Sequence, residues 1–167
     1  MGTHMTNMAF ELAFRDKGIP FFRADVGDRN VIRAMKERGW LLGGEGSGHI
    51  LNLKKTNTGD GLIIALQILE IIDRKKKSLA QIGNTVTKYP QILKNIRCRD
   101  PESLLSNHTF CSEIHGCTGR LGEKGRILVR KSGTEPLVRV MVEGQNRGEI
   151  ESIGDHLESV AVSVRQF

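Results

Sequence analysis

Two short segments of this sequence hold residue types that can do chemistry together. The first is Gly44-Glu45-Gly46-Ser47-Gly48-His49. Its glycines let backbone approach a ligand closely, while Glu45, Ser47 and His49 offer an acceptor, a hydroxyl and a ring donor. Sugar hydroxyls need both donors and acceptors, so the trio suits them. A dinucleotide fingerprint would need G-x-G-x-x-G opening a helix, but the spacing differs and a strand-like run follows. A P-loop would need Gly-Lys-Ser/Thr where this chain has Gly48-His49-Ile50. Taken alone, the segment reads more simply as a flexible polar loop.

The second segment is Arg130-Lys131-Ser132-Gly133-Thr134-Glu135-Pro136, with Arg139 just beyond it. A phosphate dianion wants convergent N–H and O–H donors and a guanidinium fork. Ser132 and Thr134 supply hydroxyls, Gly133 permits a backbone nest, and Arg130 supplies the fork. A polar hairpin turn between two strands fits the same residues, and composition leaves both readings open.

The elements that must position these loops follow from hydrophobic spacing and stop signals. In the first half, Asn7 can cap a helix over residues 8–17, with Phe10, Ala13 and Phe14 on one face. Residues 21–26 read as a strand, Asp28 caps a helix reaching Arg38, and residues 40–42 read as a second strand. The glycine-rich loop 43–48 follows, then a strand over 49–53 and a long helix starting near Gly61. Strict alternation of strand and helix implies a sheet covered by helices. The run Arg74-Lys75-Lys76-Lys77 suits the C-terminus of that helix. Residues 78–88 form a short helical connector.

The second half has another rhythm. Residues 92–98 read as a strand, 101–117 as a weak helix, 126–131 and 137–143 as two strands around the second segment, and 147–165 as a last helix. The fold class expected is therefore an α/β part over residues 1–77, followed over 78–167 by an α+β domain. That domain has an antiparallel sheet with packed helices in the order β-α-β-β-α.

Composition narrows the function classes. The chain has 167 residues, 38% hydrophobic and 26% charged, ordinary values for a globular protein, with only 5% aromatic. A net charge of +6 favours anionic ligands without choosing among them. Cys98, Cys111 and Cys117 form no C-x-x-C pair and leave an odd thiol, which suits a reducing, cytoplasmic setting. The longest apolar stretch, residues 62–72, is broken by Gln67 and Glu70 and falls short of the roughly 20 residues a bilayer crossing needs. No membrane partner is expected.

The two segments in this order resemble the α-D-phosphohexomutase superfamily. Further matches are Gly2-Thr3-x-Met5-Thr6-Asn7, Val26-Gly27-Asp28-Arg29, Lys55-Thr56-x-Thr58-Gly59-Asp60-Gly61 and Tyr89-Pro90-Gln91. Lys131 and the Gly43-Gly44 pair look most like the superfamily's bacterial branch that isomerises hexosamine phosphates. The resemblance implies four domains around one cleft, with this chain similar to the later part of the third and the whole fourth. It implies sugar-hydroxyl contacts at Glu45 and Ser47, and a fourth-domain loop of Arg130, Ser132, Gly133 and Thr134 that holds the non-reacting phosphate. It also implies a phosphoserine donor and Mg²⁺ in the full-length enzyme. The chain has neither a Ser-His-Asn-Pro segment nor an Asp-x-Asp-x-Asp loop, so no catalytic residue and no metal ligand is assigned within it. A polypeptide of these residues is expected to bind hexosamine phosphate without turning it over. Dimerisation of the full-length enzyme is left open, as is the choice between glucosamine, glucose and mannose, because the sugar loop does not see the 2-position.

Two rival readings remain. His108-x-x-Cys111-x-x-x-His115-x-Cys117 holds four metal-ligating types, but on one helix they would not converge tetrahedrally. A nucleic-acid-binding module is suggested by the basic balance, yet aromatic-studded strands are missing and the Lys and Arg residues are dispersed. No nucleic-acid partner is expected.

Overall fold

In the computed structural model, which describes residues 1–164, Asn7 caps the first helix: its side chain accepts from the Ala9 N–H, and α1 runs Met8–Arg15. The chain divides into two units, Met1–Lys88 and the residues from Tyr89 on, so connector residues 78–88 are grouped with the first.

In the first unit, β1 (Gly2–Thr3) pairs in parallel with β2 (Arg23–Ala24). β3 (Leu42–Gly44) pairs antiparallel with β4 (Ile50–Asn52). The Met1 amine donates to Leu42 O at 3.0 Å and Gly44 N donates to Met1 O at 3.1 Å, which sets β3 beside β1. β2 is shorter than the expected 21–26 because β1 gives it a partner for two residues only. The strand expected at 40–42 begins instead at Leu42. Trp40 N still donates to Met35 O, in a turn that Gly39 makes at φ 66°, so Trp40 belongs to the end of the preceding helix. That helix, α2, runs Asp28–Glu37, and Gly27 rather than Asp28 sits at its cap position.

Val31, Ala34 and Met35 of α2 bury against Ala24 and Leu51 to form this unit's core. Gly43 lies directly under Met35, where an added Cβ would stand 2.5 Å from the sulfur. α3 (Gly61–Lys75) starts at Asp60, whose carboxylate accepts from Leu62 N and Ile63 N at 2.9 and 3.1 Å. Only Ile64 of α3 is buried; Leu62, Leu66 and Leu69 are 80, 67 and 59% exposed. α4 (Leu79–Gly83) opens with a capping box between Ser78 and Gln81.

The second unit is the expected β-α-β-β-α pattern with one helix divided. β5 (Gln91–Arg97), β6 (Gly125–Lys131) and β7 (Leu137–Gly144) form an antiparallel sheet in the order β5-β7-β6. Where one weak helix was expected, α5 (Pro101–Ser106) and α6 (His108–Leu121) meet at Asn107. Its side chain accepts from Phe110 N at 3.1 Å and so starts a second helix. A 3₁₀ turn, Gly122–Lys124, leads into β6, and α7 spans Arg147–Val164. Arg165, the expected last residue of α7, lies outside the described residues.

Period-two alternation splits this sheet into two faces. Ile92, Ile96, Ile127, Val129, Val138, Val140 and Val142 share the face that packs on Phe110, Leu121, Ile150, Ile153 and Leu157 of α6 and α7. Each fully buried side chain of that size stabilises by about 1.5–3 kcal/mol. Lys94 on the same face reaches Asp155 and Glu158 of α7 at 2.7 and 2.8 Å. The opposite face carries Asn95, Arg97, Arg126, Arg130, Arg139 and Glu143.

Candidate functional site

The phosphate-type segment is the β6–β7 hairpin. Register places Arg130 directly opposite Arg139, on the face the apolar core leaves aside. Like charges in that position are destabilising unless an anion lies between them. Ser132 N donates to Leu137 O at 2.9 Å and closes the hairpin end. The Ser132 hydroxyl, 9% exposed as a residue, accepts from Thr134 N and from Arg139 Nη2, both at 3.5 Å. Arg139 Nη2 also lies 3.5 Å from Glu135 Oε2. These three contacts sit at the outer limit of hydrogen bonding. Arg139 Nε is buried and finds no hydrogen-bond partner among the described residues. A buried guanidinium N–H left unsatisfied is costly, so the hairpin is built with donors in excess of acceptors.

Gly133 was expected to provide a backbone nest. Its φ is not in the left-handed region, and an added Cβ would meet nothing within 4 Å. What the glycine contributes is open space above the turn. The turn is held at both ends: Cys98 N donates to Pro136 O at 3.1 Å, and Lys131 forms a salt bridge with Glu102 of α5. The Glu102 carboxylate raises the Lys131 pKa, chiefly through its hydrogen bond.

The sugar-type segment starts later than expected, because Gly43 and Gly44 belong to β3. Glu45, Ser47 and His49 do come together. Glu45 N donates to His49 O at 2.9 Å and Gly48 N to Glu45 O at 3.1 Å, closing a tight loop in which Gly48 takes φ 99°. Ser47 Oγ is 3.2 Å from His49 Nδ1, which stands 4.0 Å from Glu45 Oε1. The Ser47 and His49 side chains are exposed and free to meet a ligand, whereas the Glu45 side chain is only 6% exposed. The second Glu45 oxygen, Oε2, accepts from Gly27 N at 3.0 Å, at the start of α2. Sequence reasoning missed Gly27 as part of this loop's support. The Val26-Gly27-Asp28-Arg29 match was its only trace, and nothing local ties residues 18 positions apart.

Metal-ligating groups do not converge. Asp60 spends its carboxylate on capping α3. His108, Cys111, His115 and Cys117 all lie on α6, with Cys117 in the core and Cys111 exposed. Among the described residues, no group of three or more His, Cys, Asp or Glu side chains is placed to hold a metal ion. Among them, no helix is long and apolar enough to cross a membrane.

Comparison with known proteins adds to this geometry. Residues 1–89 match the family model described as phosphoglucomutase/phosphomannomutase, alpha/beta/alpha domain III, and residues 86–159 match the phosphoglucomutase/phosphomannomutase C-terminal domain. Phosphoglucosamine mutase of Herminiimonas arsenicoxydans is 53% identical over 146 residues, covering 87% of this chain and 33% of that protein. Phosphoglucosamine mutase of Polaromonas sp. is 47% identical and covers 99% of this chain and 37% of its own. The chain thus spans about a third of the length of the curated relatives it matches. Among solved structures, Aspergillus fumigatus N-acetylphosphoglucosamine mutase in complex with GlcNAc-6P and magnesium superposes with a TM-score of 0.79 at 18% identity. It covers 96% of this chain and 40% of that one. A phosphoglucomutase/phosphomannomutase family protein of Burkholderia thailandensis gives 0.69 at 20% identity, covering 96% and 36%. At such identities the likeness is one of fold.

Proposed function

The chain belongs to the phosphoglucomutase/phosphomannomutase family, and on that premise we propose that it serves a phosphoglucosamine mutase. Such an enzyme interconverts glucosamine 6-phosphate and glucosamine 1-phosphate. One observation carries the reading for the site itself: Arg130 faces Arg139 across the hairpin, with Arg139 Nε buried and unpartnered among the described residues. That arrangement suits a dianion, and a phosphate monoester is the dianion such a family handles.

In this reading Arg130, Arg139 and the Ser132 and Thr134 groups hold the phosphate that is not reacting. Exchange of a phosphoryl group between two ends of one sugar requires the sugar bisphosphate to turn end for end. The cradle must therefore accept either phosphate, and a set of charge-directed donors with open space over Gly133 does so without reading the sugar. Ser47 and His49 face the sugar hydroxyls, with Glu45 offering the oxygen that Gly27 leaves over. The named identity of the bacterial relatives supports glucosamine over glucose or mannose.

Mg²⁺ and the phosphoserine donor are proposed for the longer enzyme alone. Asp60 is a helix cap, and among the described residues no group of three or more His, Cys, Asp or Glu side chains is placed to hold a metal ion, so these residues do not fit the metal and no step runs through it. A polypeptide of these 167 residues binds substrate in this reading and does not turn it over. A cytoplasmic setting fits three free thiols.

A chimera tests the proposal. Residues 1–167 replace the matched third of the Herminiimonas arsenicoxydans relative, and turnover of glucosamine, glucose and mannose phosphates is compared. Preference for the glucosamine substrate is expected. A chimera that folds and prefers glucose or mannose phosphate would give the second reading, a phosphoglucomutase/phosphomannomutase specificity.

A further inference from the structure

A carboxylate stands inside the segment that offers a phosphate its donors. Glu135 lies in the turn, two residues before β7 begins at Leu137. Its Oε2 is 3.5 Å from Arg139 Nη2, the same guanidinium nitrogen that lies 3.5 Å from Ser132 Oγ. The contact is loose. It sits at the outer limit of hydrogen bonding, and the Glu135 side chain is 50% exposed against 31% for Arg139. Glu143, on the sheet face that Arg139 shares, behaves differently: it is fully buried and holds Arg126 at 2.8 Å. One carboxylate is built into the sheet, and the other rests against it.

The backbone under Glu135 is fixed while its side chain is not. Pro136 has a ring-locked φ and steers the residue before it away from helical backbone. Glu135 O accepts from Leu137 N at 2.8 Å, and Pro136 O accepts from Cys98 N at 3.1 Å. On such a backbone the carboxylate can leave Arg139 and return by rotation of its own side chain, a fast motion for an exposed residue. Arg130 faces Arg139 across the ladder, and two like charges so placed favour an anion beside them. Glu135 supplies one from within the turn.

We propose that Glu135 is a resident counter-ion of the phosphate cradle: its carboxylate holds Arg139 when no phosphate is bound and yields the guanidinium to an arriving dianion. The proposal rests on the phosphate-site reading of the β6–β7 hairpin and adds to it a means of release. A departing phosphate would otherwise leave a partly buried guanidinium without a partner, which is costly. Exchange for a carboxylate removes that cost, so the dianion is held less tightly and departs more readily. A sugar bisphosphate that leaves the cradle and returns by its other end needs such release.

The test combines titration calorimetry and thermal melting of the full chain with inorganic phosphate at fixed ionic strength, on wild type, Glu135→Gln, Glu123→Gln and Arg130→Gln. Glu123 is exposed in the 3₁₀ turn at the opposite end of β6, so its loss changes net charge equally. Glu135→Gln is expected to bind phosphate roughly two- to fivefold more tightly, the size of one partly exposed ion pair, with Glu123→Gln near wild type. Without phosphate it should melt about 2–5 °C below wild type. That gap should close as phosphate saturates, because the occupied cradle does not use the carboxylate. Should Glu135→Gln fail to fold, Glu135→Asp keeps the charge, shortens the reach and is expected to move both readings in the same direction. Weaker or unchanged binding in a folded Glu135 variant, with Arg130→Gln weakened, overturns the inference and leaves the phosphate site standing. Tighter binding with an unchanged melting temperature, or equal gains in Glu135→Gln and Glu123→Gln, overturns it too, since repulsion at a distance then explains the gain. Absence of saturable phosphate binding in wild type removes the site and the inference together.

Discussion

Arg130 and Arg139 occupy one rung of the β6–β7 ladder, side by side on the same face, and Arg139 Nε is buried without a hydrogen bond to any described residue. A hairpin selected for stability alone would not put two guanidinium groups there. The pairing makes opposite demands on the empty and the occupied protein, and that opposition can be measured.

Replacing Arg130 with Gln should leave the unliganded second unit as stable as wild type or more stable, by up to about 1 kcal/mol, because a like-charge cross-strand pair is relieved. The same variant should lose most of the thermal shift that phosphate gives wild type. Melting curves with and without phosphate decide it. A variant destabilised without phosphate and unchanged in its shift would mean the pair is structural.

Gly27 takes φ 116° and donates its N–H to Glu45. Space for a methyl group exists, with only the Asn30 side chain within 4 Å, so Gly27→Ala tests the backbone and not the packing. A cost of about 1–3 kcal/mol is expected from the strain, with faster amide exchange at residues 45–49. Denaturant unfolding and hydrogen exchange read the two effects separately. Unchanged exchange in the loop would show that the Gly27–Glu45 bond does not hold it.

Lys94 is held well above the ordinary lysine range, first by its hydrogen bond to Asp155 and then by Glu158. A raised folded pKa means that the stabilisation is full at neutral pH. It declines once pH passes about 10.4, where the unfolded lysine loses its proton while the folded one keeps it. Lys94→Met should therefore be less stable than wild type at pH 7, and the gap should narrow as pH rises beyond 10. A gap independent of pH would show that packing, not charge, is what the lysine contributes.

Burial raises the Cys117 thiol pKa, whereas Cys111 is exposed. Iodoacetamide at neutral pH should alkylate Cys111 first and reach Cys117 only on unfolding. Peptide mass spectrometry over time gives the order.

The second unit should protect its amides more strongly than the first. Among the described residues its core unites twelve buried side chains and the other's five, and α3 leaves Leu62, Leu66 and Leu69 outside. Residue-resolved hydrogen exchange should find Val138–Val142 slower than Ile50–Asn52 and α3. Equal protection would mean that the first unit holds itself together by contacts other than its core.

What the sequence made legible was local. Asn7 and Asp60 announce their helices because a cap needs only the next three residues. The strand–turn–strand around Ser132 shows as two β-prone apolar runs on either side of a Ser-Gly-Thr-Glu-Pro turn. Asn107 was a cap signal of the same kind, lost inside a run read as one weak helix. The placing of β3 was harder, since the turn after α2 carries Trp40 three residues past the helix. The arginine pair and the Glu45–Gly27 bond depend on register and tertiary contact, which no spacing rule reports. Both loops were found by residue type; what supports them was not.

The hydrogen bond from Gly27 to Glu45 also bears on the entropy of recognition. A loop of residues 45–49 rich in glycine would ordinarily lose much conformational freedom when a ligand arrives. Here a buried carboxylate already ties it to the first turn of α2. The ordering is completed when the chain folds, so under the function proposed above a sugar would meet a loop already in its bound shape, and little of the contact energy would be consumed in arranging it.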